Sequence, residues 1–403
     1  MTRRTPWPSG LHPRWTAPAL ALLSLGAQAQ ALMQPTPRTD FTDADTLQWR
    51  AGAQWQHDDN VFLEPDGSAK TDHIFVTTLG LRVNKPISLQ RLELDVKVDN
   101  FKYDRYSVLD FTALNYTGAY RWAVTPRMRG NVLAERREFI DRFSDISSGN
   151  VNRRTEQNHG LEAEYEVGAA WRALGGVFDR RISNSVSTYQ ADTTVQSGEL
   201  GARYDFRSGN SLAYRYRQGQ GDYSGGQTAL GGFTDRQHEL ELAWQPTGQV
   251  RVNGRMGWLE REHDLQPGRD FSGWVGRLNA NWQLSGKTSV AAGLVRELAS
   301  YQTTDASYFQ GQRWFIAPEW KPTFKTAVRL RWDHGTRTYK GAPSPSLSAG
   351  REDRLNILTL GLEWEVMRAL RLLATVQRDE RNSNIDGFDY KANIYGISAL
   401  ASF

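Results

Sequence analysis

Leu47-Gln48-Trp49-Arg50-Ala51-Gly52-Ala53-Gln54-Trp55-Gln56 sets an apolar or small residue against a polar residue or glycine at every step. A side-chain period of two is that of a β-strand whose two faces meet different surroundings. The pattern returns at Leu92, Leu94, Val96 and Val98, set against Arg91, Glu93, Asp95, Lys97 and Asp99. It returns again at His238, Leu240, Leu242 and Trp244, against Gln237, Glu239, Glu241 and Ala243. From residue 46 onward about eighteen such segments follow, each near the ~9–11 residues that a tilted strand needs to cross a bilayer. The segments near residues 176 and 293 are rich in Gly and Ala and ambiguous in phase, and Pro318 removes a ladder hydrogen bond from another.

The connections between these segments alternate in length. Short turns read Lys85-Pro86, Thr125-Pro126, Arg207-Ser208-Gly209-Asn210, Pro246-Thr247-Gly248, Ser285-Gly286-Lys287 and Pro322-Thr323. Longer stretches rich in Gly, Asp, Ser and Asn run near 58–72, 139–157, 221–235, 299–309 and 337–353. Short turns on one side and long loops on the other are the asymmetry of an outer-membrane barrel. The sequence therefore predicts an all-β, transmembrane, antiparallel up-and-down β-barrel in the outer membrane of a Gram-negative bacterium. A β-propeller would pack four short strands into the repeat that here holds two long ones.

Aromatic placement agrees. Trp122, Phe206, Trp244, Trp282, Trp320 and Trp364 each end a strand just before a short turn, and the four from Phe206 to Trp320 recur about every 38 residues. A ring of aromatics at that level is expected to form the periplasmic girdle. The last segment places Tyr395, Ile397, Ala399, Ala401 and Phe403 on one face. That ending resembles the signal that outer-membrane proteins present to the barrel-assembly machinery, which is the expected partner along with outer-membrane lipid and lipopolysaccharide.

The start reads as a signal peptide. Arg3, Arg4 and Arg14 form a basic region, Ala17 to Leu25 a short apolar core, and Ala27-Gln28-Ala29 a small-residue cleavage site. The expected organisation is a signal peptide over 1–29, a periplasmic leader over 30–45 and the barrel over 46–403. The chain of 403 residues carries 23% charged residues, yet holds 14 Trp, 15 Tyr and 16 Phe. That combination suits a wall with lipid outside and water inside. A formal net charge of +4 gives no support for nucleic-acid binding. With no cysteine, disulfides and thiolate metal sites are excluded, and 7 histidines leave few ligands for a metal.

If the apolar face meets lipid, the alternate residues line the lumen. These are Arg129, Arg203, Arg215, Arg217, Glu239, Glu241, Arg251, Arg255, Arg277, Arg313, Arg329, Arg331, Glu363 and Arg371, with Arg127, Arg137, Glu162, Glu164, Glu319 and Glu365 in the same phase. The bland reading makes them cross-strand ion pairs that hold the wall. The functional reading makes the unpaired guanidinium groups a path for anionic or hydroxyl-rich cargo.

No catalytic residue, cofactor or metal site is expected. The chain has no G-x-S-x-G, H-E-x-x-H or P-loop pattern. Asp58-Asp59 and His263-Asp264 could in principle activate a water, but they belong to the first and eleventh strands, on roughly opposite sides of the barrel. Asp58-Asp59-Asn60 lacks the spaced acids of a calcium loop.

His57-Asp58-Asp59-Asn60-Val61-Phe62 closes the first strand, and Thr71-Asp72-His73-Ile74-Phe75 opens the second, which continues to Gly80-Leu81-Arg82-Val83. Arg269-Asp270-Phe271-Ser272-Gly273 and the Ser285-Gly286-Lys287-Thr288 turn follow further on. This set resembles the β-barrel porin superfamily, and within it the EpsL family encoded with exopolysaccharide synthesis. The resemblance implies export of extracellular polysaccharide, and it supplies no catalytic residues. A general diffusion porin, with the 139–157 or 337–353 loop as constriction, is the alternative. A non-catalytic scaffold barrel of a secretion apparatus is another.

Overall fold

Hydrocarbon offers no partner to a backbone N–H or C=O, so a membrane sheet has to satisfy all of them by closing on itself. The computed structural model describes residues 47–140, 152–185, 191–225, 231–300, 308–341 and 350–403. The expected signal peptide and leader, and parts of four of the five expected long loops, lie outside the described residues. Among the described residues the chain forms eighteen strands: β1 (Leu47–Asp58), β2 (Asp72–Ile87), β3 (Gln90–Tyr103), β4 (Phe111–Thr125), β5 (Met128–Ile140), β6 (Arg153–Glu166), β7 (Trp171–Asn184), β8 (Asp192–Asp205) and β9 (Ser211–Ser224), then β10 (Gly232–Thr247), β11 (Val250–His263), β12 (Phe271–Gln283), β13 (Thr288–Ser300), β14 (Tyr308–Trp320), β15 (Thr326–Lys340), β16 (Glu352–Met367), β17 (Leu370–Ser383) and β18 (Tyr390–Ser402). Each strand pairs antiparallel with its sequence neighbours, and β1 pairs with both β2 and β18. Closure is sealed at the short-turn end by reciprocal backbone bonds. Trp49 N donates to Phe403 O at 2.6 Å, and Phe403 N donates to Trp49 O at 3.0 Å.

The strands are longer than the ~9–11 residues expected of a bilayer crossing. β1 has 12 residues, and β2, β10 and β16 have 16 each. Pairing continues past the apolar stretch because the ladder bonds are backbone bonds, indifferent to the polarity of the side chains. Three turns also sit later than the sequence suggests. Lys85 and Pro86 belong to β2, paired with Leu92 and Arg91, and the turn is made by Ser88 and Leu89, with Ser88 at φ 57°. Pro86 is tolerated there because its missing donor falls at the end of the ladder. Thr125 and Thr247 likewise end their strands, and each hydroxyl accepts the backbone N–H three residues on, from Met128 at 3.0 Å and Val250 at 3.2 Å. Pro318 acts as its chemistry requires: the β14–β15 ladder passes from Ile316 to Glu319 without pairing the two residues between.

Residues paired across an antiparallel ladder share a face. The register therefore carries one assignment around the whole wall. Trp49 pairs with Leu81, Leu79 with Val98, Tyr120 with Val132, Leu200 with Tyr216, and Trp55 with both Phe75 and Ile397. This is the outward face, on which Leu79, Leu200 and Ile397 are 68%, 72% and 63% exposed. On the opposite face, side chains two strands apart reach one another, as Arg50 of β1 reaches Asp95 of β3 and Arg203 of β8 reaches Glu164 of β6. Only a concave surface brings them that close.

The six aromatics singled out in the sequence all lie on the outward phase at the short-turn end. Phe206, Trp244, Trp282, Trp320 and Trp364 are exposed there. Trp122 is half-buried because it lies over Gly130, where a Cβ would collide with the indole and with the Glu162 carbonyl oxygen. Trp49 and Trp171 extend the row, and Trp171, Tyr204 and Phe206 pack edge to face at 5.0 and 4.9 Å. At the other end the β3–β4 connection is held by Asp110, which accepts from Lys102 Nζ at 2.8 Å and from Tyr103 N at 2.8 Å.

Two outcomes follow. Gly130→Val is expected to destabilise the barrel by about 1–3 kcal/mol through overpacking, while Gly198→Ala, with open space around it, leaves it unchanged; the heat-induced mobility shift on gels reads both. The bond from Lys102 holds the Asp110 carboxyl below its ordinary range. A depressed carboxyl contributes order above the unfolded value of about 4 and loses it as the pH falls through the lowered one. Protease cutting in the 104–110 connection is therefore expected to rise in acid, and Asp110→Asn is expected to cut equally at both pH values.

Candidate lumen site

All fourteen charged residues singled out in the sequence lie on the inward face. The register fixes this from pair to pair: Arg129 with Glu164, Arg215 with Glu239, Glu241 with Arg255, Arg255 with Arg277, Arg277 with Val295, Val295 with Arg313. Arg203, Arg217, Arg251, Arg329, Arg331, Glu363 and Arg371 follow in the same phase. Arg127 does not join them, because it sits in the β4–β5 turn.

On the wall from β5 to β11, acids and guanidinium groups form two bonded clusters, one around Glu164 and one around Glu199 and Glu241. Glu164 is shared by Arg129 and Arg203, the latter at 2.9 Å, and Arg203 Nε also donates to Asp205 at 2.8 Å. Glu199 is shared by Arg215 and Arg217, whose Nε stands 3.1 Å away. Arg215 then reaches Glu241 at 3.1 Å, and Arg255 binds the same carboxylate at 3.2 Å. Across the barrel, Arg329 bridges Glu319 at 2.6 Å and Glu363 at 3.1 Å, and Arg371 pairs with Glu365 at 3.2 Å. Arg331 grips Asp333 and lies 3.9 Å over the Phe315 ring. Bidentate and shared bonds of this kind fix a guanidinium in one plane.

These clusters neutralise most of the inward charge, and a few cations stay outside them. Arg277 stands directly opposite Arg255 in register and makes no hydrogen bond or ion pair among the described residues. Like charges facing each other across a ladder repel, and the Glu241 and Glu239 carboxylates both lean to the Arg255 side. Arg251 is exposed to the lumen, and Arg180 of β7 has a buried Nε without a partner. An unengaged guanidinium beside water is a ready donor for a carboxylate or phosphate.

Toward the long-loop end the inward face becomes aromatic. Arg261 holds Asp235 through two bonds of 2.6 Å, takes the Tyr223 hydroxyl at 3.2 Å and lies 3.8 Å over Phe233. Arg351 binds Asp353 at 2.6 Å and is sandwiched between Tyr339 at 4.4 Å and Phe388 at 3.8 Å. Sequence reasoning missed these clusters. Arg261 shares the phase of Arg251 and Arg255 and could have been read from it. Arg351 fell inside an expected loop, where alternation carries no face.

The acids and histidine weighed as a catalytic set are not brought together. β1 and β11 stand ten and eight strands apart around the two sides of the wall. Asp58 caps the Asn60 N–H, Asp59 takes the Asn393 side chain at 2.8 Å, and His263 packs on Tyr223 and Asp270. These are structural bonds of the rim.

Residues 222–403, from the end of β9 through β18, match the model of a family described as "Putative beta-barrel porin 2". Among solved structures, the outer membrane protein OpdK of Pseudomonas aeruginosa superposes with a TM-score of 0.50 at 10% identity, covering 89% of this chain and 99% of that one. The fold is that of an outer-membrane porin. OccK2 (OpdF) of the same organism, solved in complex with glucuronate, gives a TM-score of 0.50 at 12% identity, over 89% and 96% of the two chains. OpdK solved with vanillate gives 0.50 at 10% over 89% and 99%. No curated protein matches the chain. The porin fold and the outward apolar belt place the protein in the outer membrane of a Gram-negative bacterium. The comparisons support a porin-like barrel and give no support to the EpsL specificity that the resemblance implied.

Glu199 is nearly buried and serves two guanidinium groups at once. Stripping one partner from a buried ion pair costs about 3–5 kcal/mol. Glu199→Gln is therefore expected to lower the unfolding midpoint and, by freeing Arg215 and Arg217, to raise anion permeability in the molecules that fold.

Proposed function

We propose that the protein is a passive outer-membrane channel for small solutes, with a lumen that favours anions bearing carboxylates. Eighteen strands leave a water-filled channel rather than a filled core. The observation that carries the anion preference is Arg277, a guanidinium that feels the Glu297 carboxylate through space but makes no hydrogen bond or ion pair among the described residues, set beside the Arg255 network. Arg251 and Arg180 stand in the same half of the wall and add to it. OpdK and OpdF are solved with vanillate and glucuronate, both carboxylates, and this supports the same ligand class here. In this reading residues 1–29 direct the chain to the envelope, residues 30–45 precede the barrel on the periplasmic side, and the outward aromatic row lies at the periplasmic interface. The last strand, with Tyr395, Ile397 and Phe403, serves assembly.

Planar-bilayer conductance tests the proposal. The refolded protein is expected to give a steady open conductance with a reversal potential that favours chloride over potassium. Arg277→Glu is expected to move that potential toward cation selectivity while leaving the folded fraction unchanged. An absence of conductance would reject the channel. Block by the host's extracellular polysaccharide from the periplasmic side, with no effect of small carboxylates, would turn the reading to export.

A further inference from the structure

The two ends of the outer surface differ in charge. Among the described residues, the side-chain carboxylates on the outward phase, such as Glu138, Asp179, Glu262 and Glu380, all stand at the long-loop end. The short-turn end carries none. The carboxylates nearest the short turns are Glu93, Glu166, Asp205, Glu319 and Glu365. All lie on the inward phase, and each is held by an arginine of the lumen. The eight short turns contain no Asp or Glu. Their charges are Arg127, Arg207, Lys287, Lys321, Lys325 and Arg368, all of them exposed.

The outward aromatic row fixes the depth of these cations, because amphipathic rings settle at the membrane interface. Lys321 follows Trp320 directly. Lys325 precedes Thr326, which pairs with Trp364, and Lys287 precedes Thr288, which pairs with Trp320. One residue of strand advances ~3.3 Å. The headgroups add about 5–7 Å to each side of the hydrocarbon core. The backbone of all three lysines therefore stands within the headgroup layer, where lipid phosphates lie.

One sector of the rim gathers most of them. The β12–β13, β14–β15 and β16–β17 turns follow one another around the barrel, since β13 pairs with β14 and β15 with β16. Lys287 Nζ donates to the Pro322 carbonyl oxygen at 3.0 Å and ties the first turn to the second. Lys321 leans inward to Glu319 at 2.9 Å. Lys287, Lys325 and Arg368 have no carboxylate partner among the described residues. Between them stands Phe324, 91% exposed, with Lys325 Nζ 5.9 Å from its ring centre. Leu284 and Met367 are exposed in the neighbouring turns. Bare apolar tips flanked by cations are the composition of a surface that settles into an anionic membrane interface. A protein partner in the periplasm would reach these tips only by lying against the bilayer.

We infer that the turns from β12 to β17 form a seat for an anionic phospholipid of the periplasmic leaflet. Lys287, Lys325 and Arg368 meet its phosphate, and Phe324 meets the upper part of its chains. The long-loop end offers no equivalent, because outward arginines there are matched by acids: Arg136 by Glu138, Arg181 by Asp179, Arg236 by Glu262 and Arg378 by Glu380. The inference rests on the proposed orientation, with the short turns toward the periplasm, and does not depend on conduction through the lumen.

Native mass spectrometry of the refolded protein in detergent reads the seat. The probes are phosphatidylglycerol and phosphatidylcholine with the same acyl chains. Phosphatidylglycerol is expected to be retained about tenfold or more over phosphatidylcholine, with the ratio falling as salt rises. Lys287→Gln, Lys325→Gln and Arg368→Gln are each expected to cut that ratio by about fivefold, and the triple variant to abolish it. Arg236→Gln, at the opposite end, is expected to leave it unchanged. Phe324→Ser is expected to weaken retention of both lipids alike. The heat-induced mobility shift confirms that the variants compared are folded. Arg368 makes no bond among the described residues, so Arg368→Gln alone carries the test if the triple variant does not fold. Equal retention of the two lipids by the unmodified protein, or a preference that survives the triple variant, would overturn the inference. So would capture of soluble anionic peptidoglycan fragments with no discrimination between the lipids, since the rim would then serve a periplasmic partner. A protein that keeps the lipid preference but does not conduct would reject the channel and uphold the seat.

Discussion

A peptide group in hydrocarbon has nothing to bond to except another peptide group. Every large feature of this protein descends from that constraint. It demands a sheet without edges, so β1 has to meet β18, and Trp49 and Phe403 exchange backbone bonds where they do. It leaves side chains free to choose their surroundings, so a period of two sorts Leu, Trp and Val to one face and Arg and Glu to the other. Where the ladder is interrupted, the constraint still holds and is met by other means. Arg136 and Arg296 each reach a carbonyl that lacks its strand partner, and Pro318 spares a donor where the neighbouring strand has no use for one.

Inside, the governing quantity is the balance between guanidinium and carboxylate. Most arginines are immobilised by two acids or by an acid and an aromatic ring. Such groups stiffen the wall and offer little to a passing solute. Arg277 differs because its cross-strand neighbour is another arginine whose acids are already engaged. Selectivity in such a lumen is decided by the few charges left over, not by the many present.

The fold was legible because its signal is redundant. Alternation gives the count of strands, turn chemistry and the aromatic row agree with it on faces and ends, and each expected segment falls within an observed strand. The ends of strands were less legible, as the Lys85-Pro86 turn and the strand lengths show, because pairing beyond the lipid leaves no mark on polarity. Inward phase was readable for all fourteen charged positions, but pairing was not. Which acid serves Arg215 and which abandons Arg277 depends on reach across two strands, and a one-dimensional pattern does not record reach. The early end of the β4–β5 ladder at Tyr116 and Arg136, with both strands running on beyond it, was invisible for the same reason. Its residues alternate as if zipped, and only the register shows that they are not.

The bond between Trp49 and Phe403 joins positions separated by nearly the whole described chain. A hairpin can form as soon as its two strands exist, but this seam cannot. Until β18 is in place, β1 and β17 both present unpaired edges, the kind of surface that recruits other strands. Pairing at such separation is also slow. The barrel therefore has a long childhood, in which seventeen strands wait upon one. The final strand works as a latch whose arrival converts an aggregation-prone ribbon into a finished wall, and a chain damaged there would remain open at every earlier joint's expense.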